Sequence, residues 1–159
     1  NKALQRWISD NGLVELCQEM NMPLLFWHVM DDGKDSVDLL EQLLGRFGDT
    51  VSYVVVKNKG RGNRFSIFEN SNAKEKAMAV DAHIIELDQL YPGTMNKIDE
   101  INSSFWAAAN NREPQAGRCL NLLERRRVKI WLENGYRTLD ELGCFSMKSE
   151  ASASIQLID

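Results

Sequence analysis

The sequence is poor in the residues that stiffen or cross-link a chain. Its three prolines, Pro23, Pro92 and Pro114, are too few for a proline-rich linker or polyproline ligand. Its three cysteines, Cys17, Cys119 and Cys144, are odd in number and widely spaced, with no C-x-x-C or Cys/His grouping. That pattern argues against a disulfide framework and a zinc site, and it fits a reducing compartment, so a cytoplasmic protein is expected. No apolar run approaches the ~20 residues that span a bilayer, and no signal-peptide pattern stands at the start, so no membrane span is expected. Basic residues are outnumbered, 19 to 23, giving a net charge of −4. This excludes a globally basic nucleic-acid surface and leaves room for a local patch. The phosphate loop G-x-x-x-x-G-K-[ST] is also absent from the 159 residues.

What the sequence does contain is three short apolar runs, Leu24–Met30, Val51–Val56 and Ala82–Leu87, each followed by a polar loop and a helix-like stretch. Near-continuous apolar strands alternating with helices predict an α/β fold, three-layered, with a mainly parallel sheet flanked by helices. Ligands of such sheets collect at the C-terminal strand ends, here the loops Asp31–Ser36, Lys57–Arg64 and Asp88–Thr94. With 43% hydrophobic residues, one α/β domain is expected over residues 1–145, followed by a Ser/Ala-rich flexible tail over 146–159.

Apolar spacing predicts two short helices around Leu4–Ile8 and Leu13–Met20, separated by Asp10-Asn11-Gly12. After the first strand, a helix carrying Val37, Leu40, Leu43 and Leu44 is expected, capped by Asp35 or Ser36 and bracketed at its end by Gly45 and Gly48. Further helices are expected over Asn72–Val80, Met95–Ile101 and Ser104–Ala109, with a Pro92-Gly93 turn and a loop over 110–117. Leu120–Leu142 is the most helix-like stretch, with Leu120, Leu123, Val128, Trp131 and Leu132 as its apolar stripe.

Several groups could carry chemistry. In DDGKDS, two carboxylates at a strand end could hold Mg²⁺ or position water, although Asp-Asp-Gly also makes a good turn and Asp-Ser a good cap. KNKGRGN joins cations and glycines at the second strand end, where the Asn58 amide could read a base edge. His28 and His83 sit in apolar runs and read as hydrogen-bonded structural residues, and Phe105-Trp106 as a pair that packs its helix to the sheet. ERRRVK at Glu124–Lys129 could meet nucleic-acid phosphates, and direct nucleic-acid contact is left open beside the plainer reading of a solvated face. No catalytic residue and no metal ligand set is assigned.

The order DDGKDS, VVVKNKGRG, HIIELDQLYP, SFWAAANN and LLERRRVKIWL resembles the C-terminal two-thirds of ParA/MinD-like P-loop ATPases, closest to those associated with plasmid mobilisation, conjugal transfer and stability. The resemblance covers nearly all of Pro23–Leu142. It implies an incomplete P-loop NTPase-like fold in which Asn58, beside Lys57, contacts adenine and the loop Asp88–Pro92, including Leu90, closes over the base. It implies a homodimer whose interface lies near Asp31, Asp32, Lys34 and Ser36, with ATP and Mg²⁺ bound by the intact protein and plasmid DNA-processing or transfer proteins as partners. A complete member carries a deviant Walker A loop and a switch carboxylate ahead of the region that Pro23 begins, and this sequence holds neither. Lys34 follows a glycine but lacks the rest of that motif. The chain is therefore expected to be part of a larger ATPase and inactive alone, the alternative being a non-enzymatic α/β interaction module.

Overall fold

The computed structural model describes residues 2–110 and 120–143. They fall into two compact units, Asn1–Asn96 and Lys97–Asp159. The first is an α/β unit. Strands β1 (Leu25–Met30), β2 (Ser52–Asn58) and β3 (His83–Leu87) form a parallel sheet in the order β1-β2-β3. The register sets Trp27 beside Val54, Val54 beside His83, and Lys57 between Met30 and Glu86. Alternation along each strand sends Tyr53, Val55 and Ile84 to one face, where they meet the helices. On the other face Val54 and Val56 of the central strand are buried, whereas Trp27 and Val29 of the edge strand are exposed.

Helices α1 (Lys2–Asp10) and α2 (Leu13–Glu19) precede the sheet, joined at Gly12, whose φ of 62° is a left-handed value that glycine adopts without strain. Helix α3 (Lys34–Phe47) follows β1 and buries Val37, Leu40, Leu43, Leu44 and Phe47. Phe47 stacks on Phe26, centroids 5.1 Å apart, and Phe26 on Tyr53 at 6.2 Å. Neither Asp35 nor Ser36 caps this helix. The Asp31 carboxylate accepts from the Gly33 N–H at 3.0 Å, making a turn that releases the chain into the helix at Lys34, so that Asp35 and Ser36 are already helical. Gly45 lies inside α3, and only Gly48 (φ 53°) ends it.

Two short helices, α4 (Ser66–Glu69) and α5 (Asn72–Ala79), return the chain to β3. The Ser71 hydroxyl caps α5 by accepting from the Lys74 N–H. Helix α6 (Pro92–Glu100) carries the boundary between the units. Pro92-Gly93 is therefore its first turn rather than a free turn, as suits a proline, which has no N–H to leave unpaired there.

The second unit is helical among the described residues. Helix α7 (Phe105–Asn110) packs on α8 (Leu122–Glu141) through Phe105 and Trp131, ring centroids 4.9 Å apart. Asn121 and Glu124 form a reciprocal capping box, and Lys97 closes on Glu124 at 2.5 Å. That box turns Glu124 and Val128 inward. Leu123 is consequently 68% exposed instead of joining the apolar stripe, and Trp106, beside the packed Phe105, is 64% exposed. The expected loop over 111–117 and the tail over 146–159 lie outside the described residues. Among the described residues no helix is long and apolar enough to cross a membrane.

Candidate functional site

Because the strands are parallel, the three loops after them emerge at the same end of the sheet. Side chains bind these loops together. After β1, Asp31 Oδ1 accepts from the Ser36 hydroxyl at 2.5 Å and from the Gly33 N–H at 3.0 Å, and these two bonds hold its carboxyl below the usual carboxylate range. The Ser36 carbonyl accepts from His28 Nε2 at 3.0 Å, tying the start of α3 back to β1. Burial pushes the His28 imidazole below its ordinary value, against that bond. His28 is thus the hydrogen-bonded structural residue expected, whereas His83 occupies the exposed first position of β3.

The neighbouring Asp32 serves the second loop. Its Oδ2 accepts from the Arg64 N–H at 3.2 Å, and its carboxylate lies so close to Gly62 that a Cβ there would collide with it. Gly62 also has φ 136°, so only glycine fits this approach without strain. Asn58 ends β2 and turns back on itself: its Oδ1 accepts from the Gly60 N–H at 3.0 Å, capping the 3-10 turn Lys59–Arg61. One carbonyl lone pair is engaged there, and the Nδ2 donors are not part of that cap.

The loop lysines face carboxylates. Lys57, with only 13% of its side chain exposed, reaches Glu69 at 3.0 Å and Glu86 at 2.7 Å, and its ammonium lies 5.7 Å from the Phe65 ring centre. Lys59 reaches Glu86 at 2.6 Å and Asp88 at 3.1 Å. Burial alone would lower the Lys57 ammonium, but the two carboxylates outweigh it and raise it. Glu86, hydrogen-bonded by Lys57 and then Lys59, falls from 4.5 to about 2. Lys74 on Glu69 completes an alternating network in which three lysines meet three carboxylates.

No family model, curated protein or solved structure matches the chain. Among the residues singled out in the sequence, Asp32, Lys57, Asn58 and Asp88 lie at or just beyond the ends of the three strands, each held by a different partner: Asp32 by the Arg64 N–H, Lys57 by Glu69 and Glu86, Asn58 by the Gly60 N–H and Asp88 by Lys59. Leu90 is buried and Pro92 exposed at the start of α6. Lys34 is set apart from them, exposed and paired with Asp38 at 2.6 Å on α3. Sequence reasoning passes over Glu86 and Glu69, which hold the loops in place, and takes Gly62 and Arg64 only as members of a glycine-rich basic loop. A signal for Glu86 was present: a carboxylate in the apolar run HIIEL must find a cation on an adjoining strand or turn to water. Among the described residues no group of three or more His, Cys, Asp or Glu side chains could hold a metal ion.

Proposed function

We propose that this chain is the base-binding part of an adenine-nucleotide-dependent ATPase of the ParA/MinD-like kind, working in plasmid partition, mobilisation or conjugal transfer. The observation that supports it is Asn58 at the end of the central parallel strand, held by its own turn between the Asp31–Asp32 loop and the Asp88 loop. An amide so placed retains donors for a ring nitrogen and an acceptor lone pair for an exocyclic amine, the pattern that adenine offers in reverse. The residues suit the base and not the phosphates: Lys57 and Lys59 are neutralised by carboxylates, and Asp31 and Asp32 are engaged with their own loops. In this reading the triphosphate and Mg²⁺ belong to a phosphate loop outside the 159 residues, and no hydrolytic step is derived from this chain. Asp31, Asp32, Lys34 and Ser36 lie near a homodimer interface in the same proposal, and DNA-processing or transfer proteins are its partners.

Asn58 caps a turn as well, so its removal confounds binding with folding. Asn58→Asp separates the two, since the carboxylate keeps an acceptor for the Gly60 N–H and loses the amide donors. In the complete protein, Asn58→Asp is expected to keep the apo thermal transition and weaken ATP about tenfold, the value of one good hydrogen bond, while GTP changes less. Equal ATP affinities in wild type and Asn58→Asp would end the base-contact assignment and favour the non-enzymatic interaction module.

A further inference from the structure

Two asparagines in the sequence precede a glycine, Asn11 and Asn134. In such a pair the glycine nitrogen can attack the asparagine side-chain amide, because glycine has no Cβ to shield that nitrogen and its backbone turns freely. Both asparagines are exposed and both glycines half-buried, so access of water does not separate the two pairs. Their backbones do.

Asn134-Gly135 lies inside α8, where the helical ladder engages the Gly135 N–H. Asn134 is held on its other groups as well: its Oδ1 accepts from Arg137 Nη2 at 2.5 Å, and its carbonyl from the Thr138 hydroxyl at 3.2 Å. Asn11-Gly12 is instead the joint between α1, which ends at Asp10, and α2, which begins at Leu13. The Gly12 N–H reaches the Ser9 carbonyl at 3.3 Å, a long bond, and Asn11 Nδ2 donates to the Trp7 carbonyl at 2.8 Å. At Gly12, with φ 62°, the chain has already left the right-handed helical path. Closing a ring between Asn11 Cγ and the Gly12 nitrogen carries the asparagine ψ out of the helical range. At position 11 that motion opens the end of a helix of nine residues, whereas at position 134 it breaks the interior of a helix of twenty. The ends of short helices open at far lower cost than the interiors of long ones.

We propose that Asn11 is a site of spontaneous deamidation, selected over Asn134 by the fold. The Gly12 nitrogen loses its proton to hydroxide and bonds to Asn11 Cγ, the Cγ–Nδ2 bond breaks, and Nδ2 leaves as ammonia after taking a proton from water. Water then opens the succinimide at either carbonyl, leaving an aspartyl or isoaspartyl residue at position 11. Both products place a new negative charge beside Asp10 at the C-terminal end of α1, where the helix dipole disfavours it. The isoaspartyl form also lengthens the backbone of the joint by one methylene.

Peptide mapping by mass spectrometry of the folded 159-residue chain, aged at mildly alkaline pH, tests this. Asn11 is expected to convert at least about tenfold faster than Asn134, and the two sites at comparable rates once the chain is unfolded in guanidinium chloride. Labelling of the aged, folded chain by an isoaspartyl carboxyl methyltransferase should fall sharply in Asn11→Gln and persist in Asn134→Gln. Equal conversion of the two sites in the folded chain would overturn the proposal, as would faster conversion at Asn134. An Asn11 that stays intact in the folded chain while reacting in the unfolded one would overturn it too, and would mean that the α1–α2 joint is as well protected as a helix interior.

Discussion

The loop Lys57–Arg64 and the run Arg125–Lys129 look alike as sequence, each a cluster of cations beside polar residues, yet their surroundings differ. In the loop, Lys57 and Lys59 are held by Glu69, Glu86 and Asp88 from other parts of the fold, and the near-burial of Lys57 makes its partners necessary. On α8, Arg126 and Lys129 lie exposed along a cleft, and Lys129 approaches Glu133 of its own helix at 3.9 Å. A cation that the fold has already neutralised serves the structure. A cation on an exposed helix face contributes little to folding. Charge counted along the chain cannot tell these apart; the position of the nearest carboxylate in space can.

If this contrast is sound, removing cations should have opposite effects on stability in the two regions. The largest effect is expected for Lys57→Ala, which leaves Glu69 and Glu86 facing one another without their shared ammonium. Loss of about 2 kcal/mol in denaturant unfolding is expected, below the cost of breaking a fully buried pair because both acids are partly exposed. Unchanged stability would break the comparison at its first term.

Gly62→Ala should follow, at about 1 to 2 kcal/mol, from the strain of φ 136° and the displacement of Asp32. Pairing it with Asp32→Ala sharpens the point, since the collision then disappears and the backbone strain remains. The double variant should cost less than the sum of the two single ones.

Acid unfolding tests the same network through Glu86. Its folded value of about 2 lies below the ordinary 4.5, so its contribution is complete above about pH 4.5 and is lost as pH falls from there towards 2. Because nearly half of the side chain is exposed, that contribution is about 1 kcal/mol. Glu86→Gln should flatten the decline of the denaturation midpoint across this window. An identical pH profile in the variant would remove Glu86 from the account.

The smallest effect is the most diagnostic. Arg126→Glu is expected to leave the protein as stable as wild type or more so, by about 0.3 kcal/mol, because it replaces an unfavourable charge near the helix N-terminus with a favourable one. Measurable destabilisation would mean that Arg126 is structural, which would collapse the distinction between the two cation clusters.

The sequence by itself determined the three strands and, the short helix α4 excepted, the α-helices between and after them. Apolar runs such as VSYVVV have one stable use in water, and Gly12 and Gly48 supply the turns at positive φ. It also placed Asp31, Asn58 and Asp88 at strand ends, since a parallel sheet leaves its loops there. Local pattern misjudged the start of α3, because Asp31 and Ser36 each had two hydrogen-bonding options and spacing favours neither. It misjudged Leu123 and Trp106 for a related reason: an apolar residue next to a buried one looks the same in sequence whichever of the two the helix turns inward. Only the tertiary structure decided that Lys57 lies beside Glu86, that Asp32 closes on Gly62 and Arg64, and that the α8 cations line a cleft. Each of these depends on strand register or helix rotation: a shift of one residue sends a strand's side chains to the other face, and it turns a helix's side chains by about 100°.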